Sequence, residues 1–485
     1  MTTDAATDKL DLEHAGFKEE GAAMLREILS SLDLPVDASA DIQVTGAGEL
    51  PSVFAVTDLA TASIGAASLA VGTLRSRRTG APSRIRIDRE LASLWFDRSI
   101  YPVGWNLPPV RDPIAGDYAT SDGWIRLHTN APLHRQAALR ALGFAQPGAD
   151  VTREMVAARV RETRARELEE HVIAAGGCAA EMRSQEAWAN HPQGQAVKSE
   201  PLLAIRSFEK TSKPVPWVPQ ADRPLAGVRV LDLTRILAGP IATRFLASFG
   251  AEVLRIDPID WDEPAAAPEV TPGKRRARLD LRSPEGRCAF ESLLRQADVL
   301  VHGYRSDALE RLGLGEARRR ELNPGLVDAC LDAYGWTGEW RTRRGFDSLV
   351  QMSSGIAHAG MEILGKPIPT PLPVQALDHA TGYMLAAAVV RGLVRRLDEG
   401  RGSSTRASLA RTAAMLTTLG PSRLREAALV RQAHEGDFLA SIEQTVWGPA
   451  RRLRPPYDIE GAPACWTLAA GNLGDGDPVW LSDRE

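Results

Sequence analysis

The sequence predicts an α/β protein in which a doubly wound parallel sheet domain, Rossmann-like in plan, stands beside a smaller, mostly helical α+β domain. Three observations predict it. Beyond residue 224, apolar runs alternate with helical stretches in repeated βαβ order, which implies a parallel sheet covered by helices on both faces. A Pro-rich segment, KPVPWVPQADRP at 213–224, separates this pattern from a first half of different texture, because proline fixes φ and restrains the residue before it. One stretch also occurs twice, at 58–86 and at 378–406, each residue meeting its counterpart 320 positions later. Ten of the 29 pairs are identical: Asp58/Asp378, Ala60/Ala380, Thr61/Thr381, Ala66/Ala386, Ala67/Ala387, Gly72/Gly392, Arg75/Arg395, Gly80/Gly400, Ser83/Ser403 and Arg86/Arg406. Chance gives about two at typical residue frequencies, so the chain contains a duplication.

Taken in order, residues 1–30 are polar and helix-prone, a tail or an outer helix. Residues 31–212 read as largely helical, with short extended pieces such as 124–127, and the extended linker 213–224 follows. VRVLDL (228–233) reads as a buried strand, 242–249 as a helix and EVLRI (252–256) as a second strand. PGKRRARLDLR follows as a basic loop. A helix is predicted over 283–297 with Ser283 as its cap, then the strand DVLVH (298–302), a helix near 307–312 and a strand within 325–331. The sheet domain spans 225–435, and 436–485 is a tail expected to pack on it. Sheets of this kind bind ligands beyond the carboxyl ends of their strands.

Composition excludes several classes. With 44% hydrophobic and 25% charged residues among 485, the chain has the make-up of a globular protein. A net charge of −4 argues against a nucleic-acid or membrane-surface protein, which needs a basic excess. Cys178, Cys288, Cys330 and Cys465 are widely spaced, so neither a zinc site nor a disulfide framework is expected, and a reducing cytoplasm fits. The acidic N-terminus does not resemble a secretory signal, and no apolar run has the length of a membrane span.

The turn after the first strand, TRILAGPIATR, contains no G-x-G-x-x-G, which argues against an NAD or FAD enzyme. Gly239-Pro240 instead reads as a helix start whose free N–H groups favour an anionic ligand. Lys274, Arg275, Arg276 and Arg278 are either a grip for a nucleotide's phosphates or a solvated basic face. Asp58 and Asp378 each head an Ala-rich helix, as simple caps or as site residues. His379 adjoins Asp378 but points elsewhere, which makes it a packed or pocket-lining residue and not a general base; His302 and His358 have no partner visible in the sequence.

From residue 222 to about 420 the chain closely resembles the class III (CaiB/BaiF-type) CoA-transferases. The matching motifs are PLAGVRVLDLTRILAGP, FGAEVLRIDP, GKRRARLDLRSPEGR, ADVLVHGYRSDALERLGLG, NPGLV, YGWTGEW, GFDSLVQMSSGIA, ALDHATGYMLAAA and EGRGSSTRASLA. The resemblance implies a CoA-binding sheet domain, a smaller domain and an interlocked dimer. By position it implies Asp378 as catalytic aspartate, Ile236, Leu237 and Ala238 as the loop holding the CoA adenine or ribose, Lys274 as a phosphate contact, and Tyr304, Arg311 and Leu312 as the wall beside the nucleotide. Pro258 and Gly303 depart from residues common in the family. The first half resembles the family out of order: the stretch from Asp58 is similar to the catalytic helix region, GDYATSDGWIRLHTN to the entry of the smaller domain, and RSQEAWANHPQGQAV to its later part. Asp58 has no nucleotide site upstream within its own copy and is expected to be vestigial or structural.

The activity implied is transfer of CoA from an acyl-CoA donor to a carboxylic acid through an aspartyl anhydride and an aspartyl-CoA thioester, with CoA as substrate and no bound metal or redox cofactor. The expected partners are these substrates and a second copy of the chain, with no nucleic acid or membrane. A non-catalytic CoA-binding subunit is the alternative from another class. An acyl-CoA racemase of the same superfamily is disfavoured, because Gly345-Phe346-Asp347 stands where racemases carry G-H-D. The glycine-rich loop that supplies oxyanion donors in the family is not identifiable here.

Overall fold

A computed structural model describes residues 16–35, 41–144, 150–210, 217–421 and 429–481. The first half opens with α1 (Glu19–Ser31), β1 (Ile42–Thr45), α2 (Val56–Thr79), β2 (Ile85–Asp88), α3 (Arg89–Asp97) and β3 (Ile100–Pro102). The small domain follows as β4 (Gly116–Ala119), β5 (Trp124–Leu127), α4 (Pro132–Ala141), α5 (Arg153–Arg161), α6 (Ala165–Ala174) and β6 (Ala179–Glu181). Then come α7 (Gln185–Asn190), α8 (Pro192–Ser199) and β7 (Ala204–Lys210).

The second half contains β8 (Arg229–Leu233), α9 (Ala238–Ser248), β9 (Glu252–Asp257), α10 (Ala267–Val270), β10 (Lys274–Arg278), α11 (Pro284–Gln296) and β11 (Val299–His302). It continues with α12 (Ala308–Arg311), α13 (Glu316–Leu322), β12 (Val327–Asp332), α14 (Asp347–Ser353), α15 (Ile356–Ile363), α16 (Ala376–Glu399), β13 (Arg401–Ser408) and α17 (Leu409–Thr418). The tail supplies β14 (Glu443–Thr445), β15 (Gly448–Arg452) and β16 (Tyr457–Ile459).

Seven strands form the main sheet in the order β10-β9-β8-β11-β12-β13-β7, parallel except for β7, which runs antiparallel to β13. β8, β9, β11 and β12 are buried almost throughout, as expected of parallel strands covered on both faces. The α/β class and the predicted strand–helix series are therefore present, and Ser283 Oγ accepts the Gly286 N–H as the cap of α11. Two readings change. Lys274–Arg278 is an edge strand and not a loop, and the first half carries seven strands, so it is less helical than its texture suggested.

The tail joins both halves. β16 pairs with β2 and β15 with β3, while Trp466 Nε1 donates to Arg244 O and Trp480 is buried among the leucines beneath α11. Of the polar N-terminal segment, 1–15 lies outside the described residues; Glu19–Ser31 is a helix that buries Met24, Leu25, Ile28 and Leu29 against α2. Of the linker, 213–216 likewise lies outside them.

The duplication is visible as architecture. α2 and α16 each have 24 residues, end at a left-handed glycine (Gly80 and Gly400), and pack against each other. α2 connects β1 to its parallel neighbour β2, α16 is the last of three helices between β12 and its parallel neighbour β13, and α3 and α17 begin 320 positions apart. α1 packs on α2 as α9 packs on α16.

Candidate active site

Strand order places β8 beside β11, although the chain first leaves β8 for β9 and β10 on the other side. This is a topological switch point, the place where sheets of this kind form a ligand crevice beyond the carboxyl ends of their strands. Ile236, Leu237 and Ala238 line one side. Ile236 has φ +65, a left-handed conformation unusual for a β-branched residue. Its N–H donates to Glu263 Oε2 at 2.8 Å, and Glu263 is held in turn by Arg255 at 2.5 Å and by Trp261 Nε1 at 3.2 Å. Across the crevice stands Tyr304, half-buried, with the Arg235 guanidinium 5.3 Å from its ring centre and 4.4 Å from that of Trp261. Leu312 and Tyr304 pack against the same hydrophobic cluster, and Arg311 is exposed and paired with Asp307 at 2.5 Å.

Lys274 sits elsewhere than the resemblance implies. Its side chain has no exposed surface; Nζ donates to Asp232 Oδ2 at 3.0 Å and to Pro240 O at 2.9 Å. Burial lowers the ammonium to about 8, and Asp232 opposes that shift. The lysine thus braces the start of α9 from below, and in this geometry its ammonium does not reach a phosphate in the crevice. The other basic residues of the run are also committed: Arg275 to Val479 O, Arg276 to Asp475 and Arg278 to Trp261 O. They anchor the tail and a loop, so neither the phosphate grip nor the solvated face describes them.

Asp378, in the first turn of α16, lies where α9 meets α14, and 7% of its surface is exposed. Its carboxyl accepts the N–H of Ala238, the residue that opens the crevice. Its own N–H donates to Asp347 Oδ2 at 3.0 Å. Asp347 also receives the Leu377 N–H and the Gln351 amide, whose Oε1 accepts the Leu372 N–H at 2.7 Å. Two carboxyl groups are thereby buried together. Burial, and then the charge of Asp347, push Asp378 well above the carboxylate range, and burial lifts Asp347 to about 6. Arg126 on β5 faces Asp347 and is bonded to Asp117 at 2.9 and 3.0 Å.

The small domain closes one side. His128 stacks on Phe346 at 3.7 Å between ring centres, His134 meets the same ring edge-on at 5.9 Å, and burial depresses the two imidazoles to about 3 and about 4. His379 is packed, as its position beside Asp378 implied: it stacks on Phe96 at 4.9 Å, and burial lowers it to about 3. His302 and His358, unpartnered in the sequence, lie 3.5 Å from Asp328 and Glu362 respectively.

Asp58, the duplicate of Asp378, has a different environment. Arg89 Nη1 donates to its Oδ1 at 2.6 Å, with both side chains buried, and the same guanidinium reaches Glu49 at 3.5 Å and Gly48 O at 3.3 Å. Gly21 of α1 closes over it so tightly that a β-carbon there would lie 3.1 Å from Asp58 Oδ1. Asp347, Arg126 and Arg89 were not singled out as site residues from sequence. The available signals were the Gly345-Phe346-Asp347 motif for the first and, for Arg89, its place opposite Leu409 in the duplicated register.

The model of CoA-transferase family III matches residues 225–441. That part of the chain, a little under half of its length, is similar to the family III CoA-transferases. An acyl-CoA transferase of Fusarium pseudograminearum (strain CS3096) is 31% identical over 256 residues, 48% of this chain and 53% of its own length. One of Gibberella moniliformis (strain M3125 / FGSC 7600) is 29% identical over 451 residues, 89% of this chain and 74% of its own. The second match takes in both halves, whereas the chain spans about half the length of the Fusarium relative. A solved CaiB/BaiF family protein from Brucella suis is 25% identical over 47% of this chain and 65% of its own, with a TM-score of 0.37. Among the described residues no helix is long and apolar enough to cross a membrane, and no group of three or more His, Cys, Asp and Glu is placed to hold a metal ion.

Proposed function

We propose that the chain transfers CoA from an acyl-CoA thioester to a carboxylic acid, with Asp378 as nucleophile. The observation that carries this reading is a desolvated carboxyl facing Ala238 at the start of α9, beyond the switch-point strand β8, with no cation paired to it among the described residues, at the position of the family's catalytic aspartate. A carboxylate in this setting is poorly solvated and basic, which favours nucleophilic attack once it is ionised.

Asp378 attacks the donor thioester carbonyl, the C–S bond breaks, and a mixed anhydride and CoA thiolate result. The thiolate attacks the aspartyl carbonyl of the anhydride, releasing the donor acid and leaving an aspartyl-CoA thioester. The acceptor carboxylate attacks that thioester, which gives a second anhydride and thiolate again. Attack of the thiolate on the acceptor's acyl carbonyl yields the new acyl-CoA and regenerates the Asp378 carboxylate. Electrons and atoms balance with no external oxidant or reductant. The Ala238 N–H, aimed at the carboxyl, is positioned to stabilise negative charge on the aspartyl oxygen in the tetrahedral steps.

Curated relatives named for succinate, glutarate and malate as CoA-transfer partners support a small carboxylic acid as acceptor. The racemase alternative needs a second base, and Phe346, where racemases have histidine, is an apolar ring covered by His128. The test is intact-protein mass spectrometry after incubation with a panel of acyl-CoA thioesters, succinyl-CoA included, with hydroxylamine trapping and peptide mapping. A hydroxylamine-sensitive adduct on the Asp378 peptide is expected. CoA binding without an adduct from any donor would instead favour a non-catalytic CoA-binding protein.

A further inference from the structure

Two linked side chains, Asp347 and Gln351, keep the Asp378 backbone in place, and the one that touches it is itself an acid. Asp347 accepts two successive N–H groups at the start of α16, those of Leu377 and Asp378, which have no partner inside the helix. Gln351, one turn further along α14, donates to the other oxygen of Asp347 and accepts from Leu372 N at 2.7 Å, so the carboxylate is held on both sides. A neutral amide or hydroxyl can perform such capping. A buried carboxylate performs it at the cost of placing a second negative charge beside the first.

We propose that Asp347 is a positioning residue for Asp378: it fixes the first turn of α16 against the α9 start and supplies the charge against which the Asp378 carboxyl ionises. The inference rests on the reading of Asp378 as the nucleophile, and it assigns to Asp347 the tuning of that group.

The charged surroundings leave Asp347 as the dominant influence. From α9 only the Ala238 N–H faces the Asp378 carboxyl. From β5, Arg126 faces Asp347 and is already bonded to Asp117. Arg244 on α9 and Glu269 on α10 are paired with each other and face His379. On α2, Asp58 is paired with Arg89. On α17, the contact with α16 is between hydroxyls, Thr381 and Thr412 at 2.7 Å. Burial alone makes Asp378 a weak acid; the adjacent Asp347 charge makes it weaker, and the Ala238 N–H acts in the opposite sense.

The test titrates Asp378 directly in the full chain labelled with carboxyl-carbon-13 aspartate, its signal identified by its loss in Asp378→Asn. In the wild type it is expected to titrate above the ordinary carboxylate range. In Asp347→Asn, which keeps an acceptor oxygen and loses the charge, the midpoint is expected to fall by at least one pH unit, a tenfold change in proton affinity. Asp347→Ser serves as second variant should the first fail to fold, with the same expectation. An unchanged midpoint in the variant that folds overturns the proposal. This readout involves no CoA chemistry, so absence of an acyl adduct would count against the transferase reading alone. Where the adduct forms, the acid limb of its rate is expected to shift with the same midpoint, and a purely structural loss would lower the rate without moving that limb.

Discussion

Asp58 and Asp378 occupy the same position in two copies of one helix, and their surroundings differ in sign. Arg89 neutralises Asp58, and α1 covers it. Asp378 has an acid, Asp347, as its neighbour and the Ala238 N–H of the switch-point loop facing its carboxyl. Position 89 corresponds to Leu409 in the second copy, so the cation that stabilises one aspartate is missing beside the other. The comparison teaches that helix, strand pairing and cap survive duplication readily. The charge around each aspartate is set by a few side chains, one that differs between the copies (Arg89 against Leu409) and one, Asp347, from outside the repeat.

The largest expected effect separates the copies by chemistry. Asp378→Ala should reduce single-turnover adduct formation by on the order of 10³-fold or more, since the lost group itself forms the covalent bond. Asp58→Asn should leave that rate within a few-fold. Equal losses at the two positions, measured with the same acyl-CoA donor, would break the comparison, because they would mean that the Asp58 copy takes part in turnover.

The next effect concerns stability. Arg89→Leu, which copies the residue found in the second repeat, leaves Asp58 buried beside Glu49 without its cation. Loss of one partner from a buried pair typically costs about 3 to 5 kcal/mol. Denaturant unfolding of Arg89→Leu should show a loss of this order, and adding Asp58→Leu should recover most of it, since an apolar pair removes the unpaired charge. Failure of the double variant to recover would place the cost in packing around α1 instead.

Asp378 should respond in the opposite direction. Its folded-state pKa is raised, so the native state holds the proton more tightly than the unfolded chain does. Stability is therefore lost as pH rises from the ordinary carboxylate value through the raised one. Asp378→Asn removes that loss. Thermal unfolding at several pH values should show the variant more stable than the wild type, with a gain that grows across this interval and levels off above it. A gain independent of pH would locate the effect in hydrogen bonding rather than ionisation.

Much of this was legible in the sequence, for identifiable reasons. The strands β8, β9, β11 and β12 are buried on both faces, so each is predominantly apolar, broken in three of them by a buried charge (Asp232, Arg255, Asp328), and their order was readable from the sequence. The duplication pointed to Asp378. The tail's pairings were not legible: β16 meets β2, and Tyr457 pairs with Ile87 across most of the chain. β10 was hidden because KRRAR shows no alternation of apolar and polar residues, its arginines being satisfied by tail carbonyls and by Asp475. The environment of Asp378 was hidden for a related reason. Arg126 and Asp347 belong to different elements, and only the docking of β5 and β6 against α14 brings them together.

The smallest effect tests what the copies still share. Gly80 and Gly400 end their helices at φ +73 and +67, and each N–H donates to the carbonyl four residues back, at 2.8 and 2.9 Å. A side chain in this left-handed region costs about 1 kcal/mol. A β-carbon at Gly80 would meet nothing within 4 Å, and one at Gly400 would meet only the Lys210 side chain at ordinary contact distance. Gly80→Ala and Gly400→Ala should therefore each cost about 1 kcal/mol in denaturant unfolding and agree with each other within about 0.5 kcal/mol. Agreement would mean that the backbone of the repeat is energetically equivalent in its two settings, one leading into a three-stranded sheet and the other into the main sheet. The divergence of the two aspartates would then reside in Arg89 and Asp347, not in any relaxation of the first copy's fold. A much larger cost at Gly400 would show instead that entry into β13 is strained, and that the two copies differ in backbone as well as in charge.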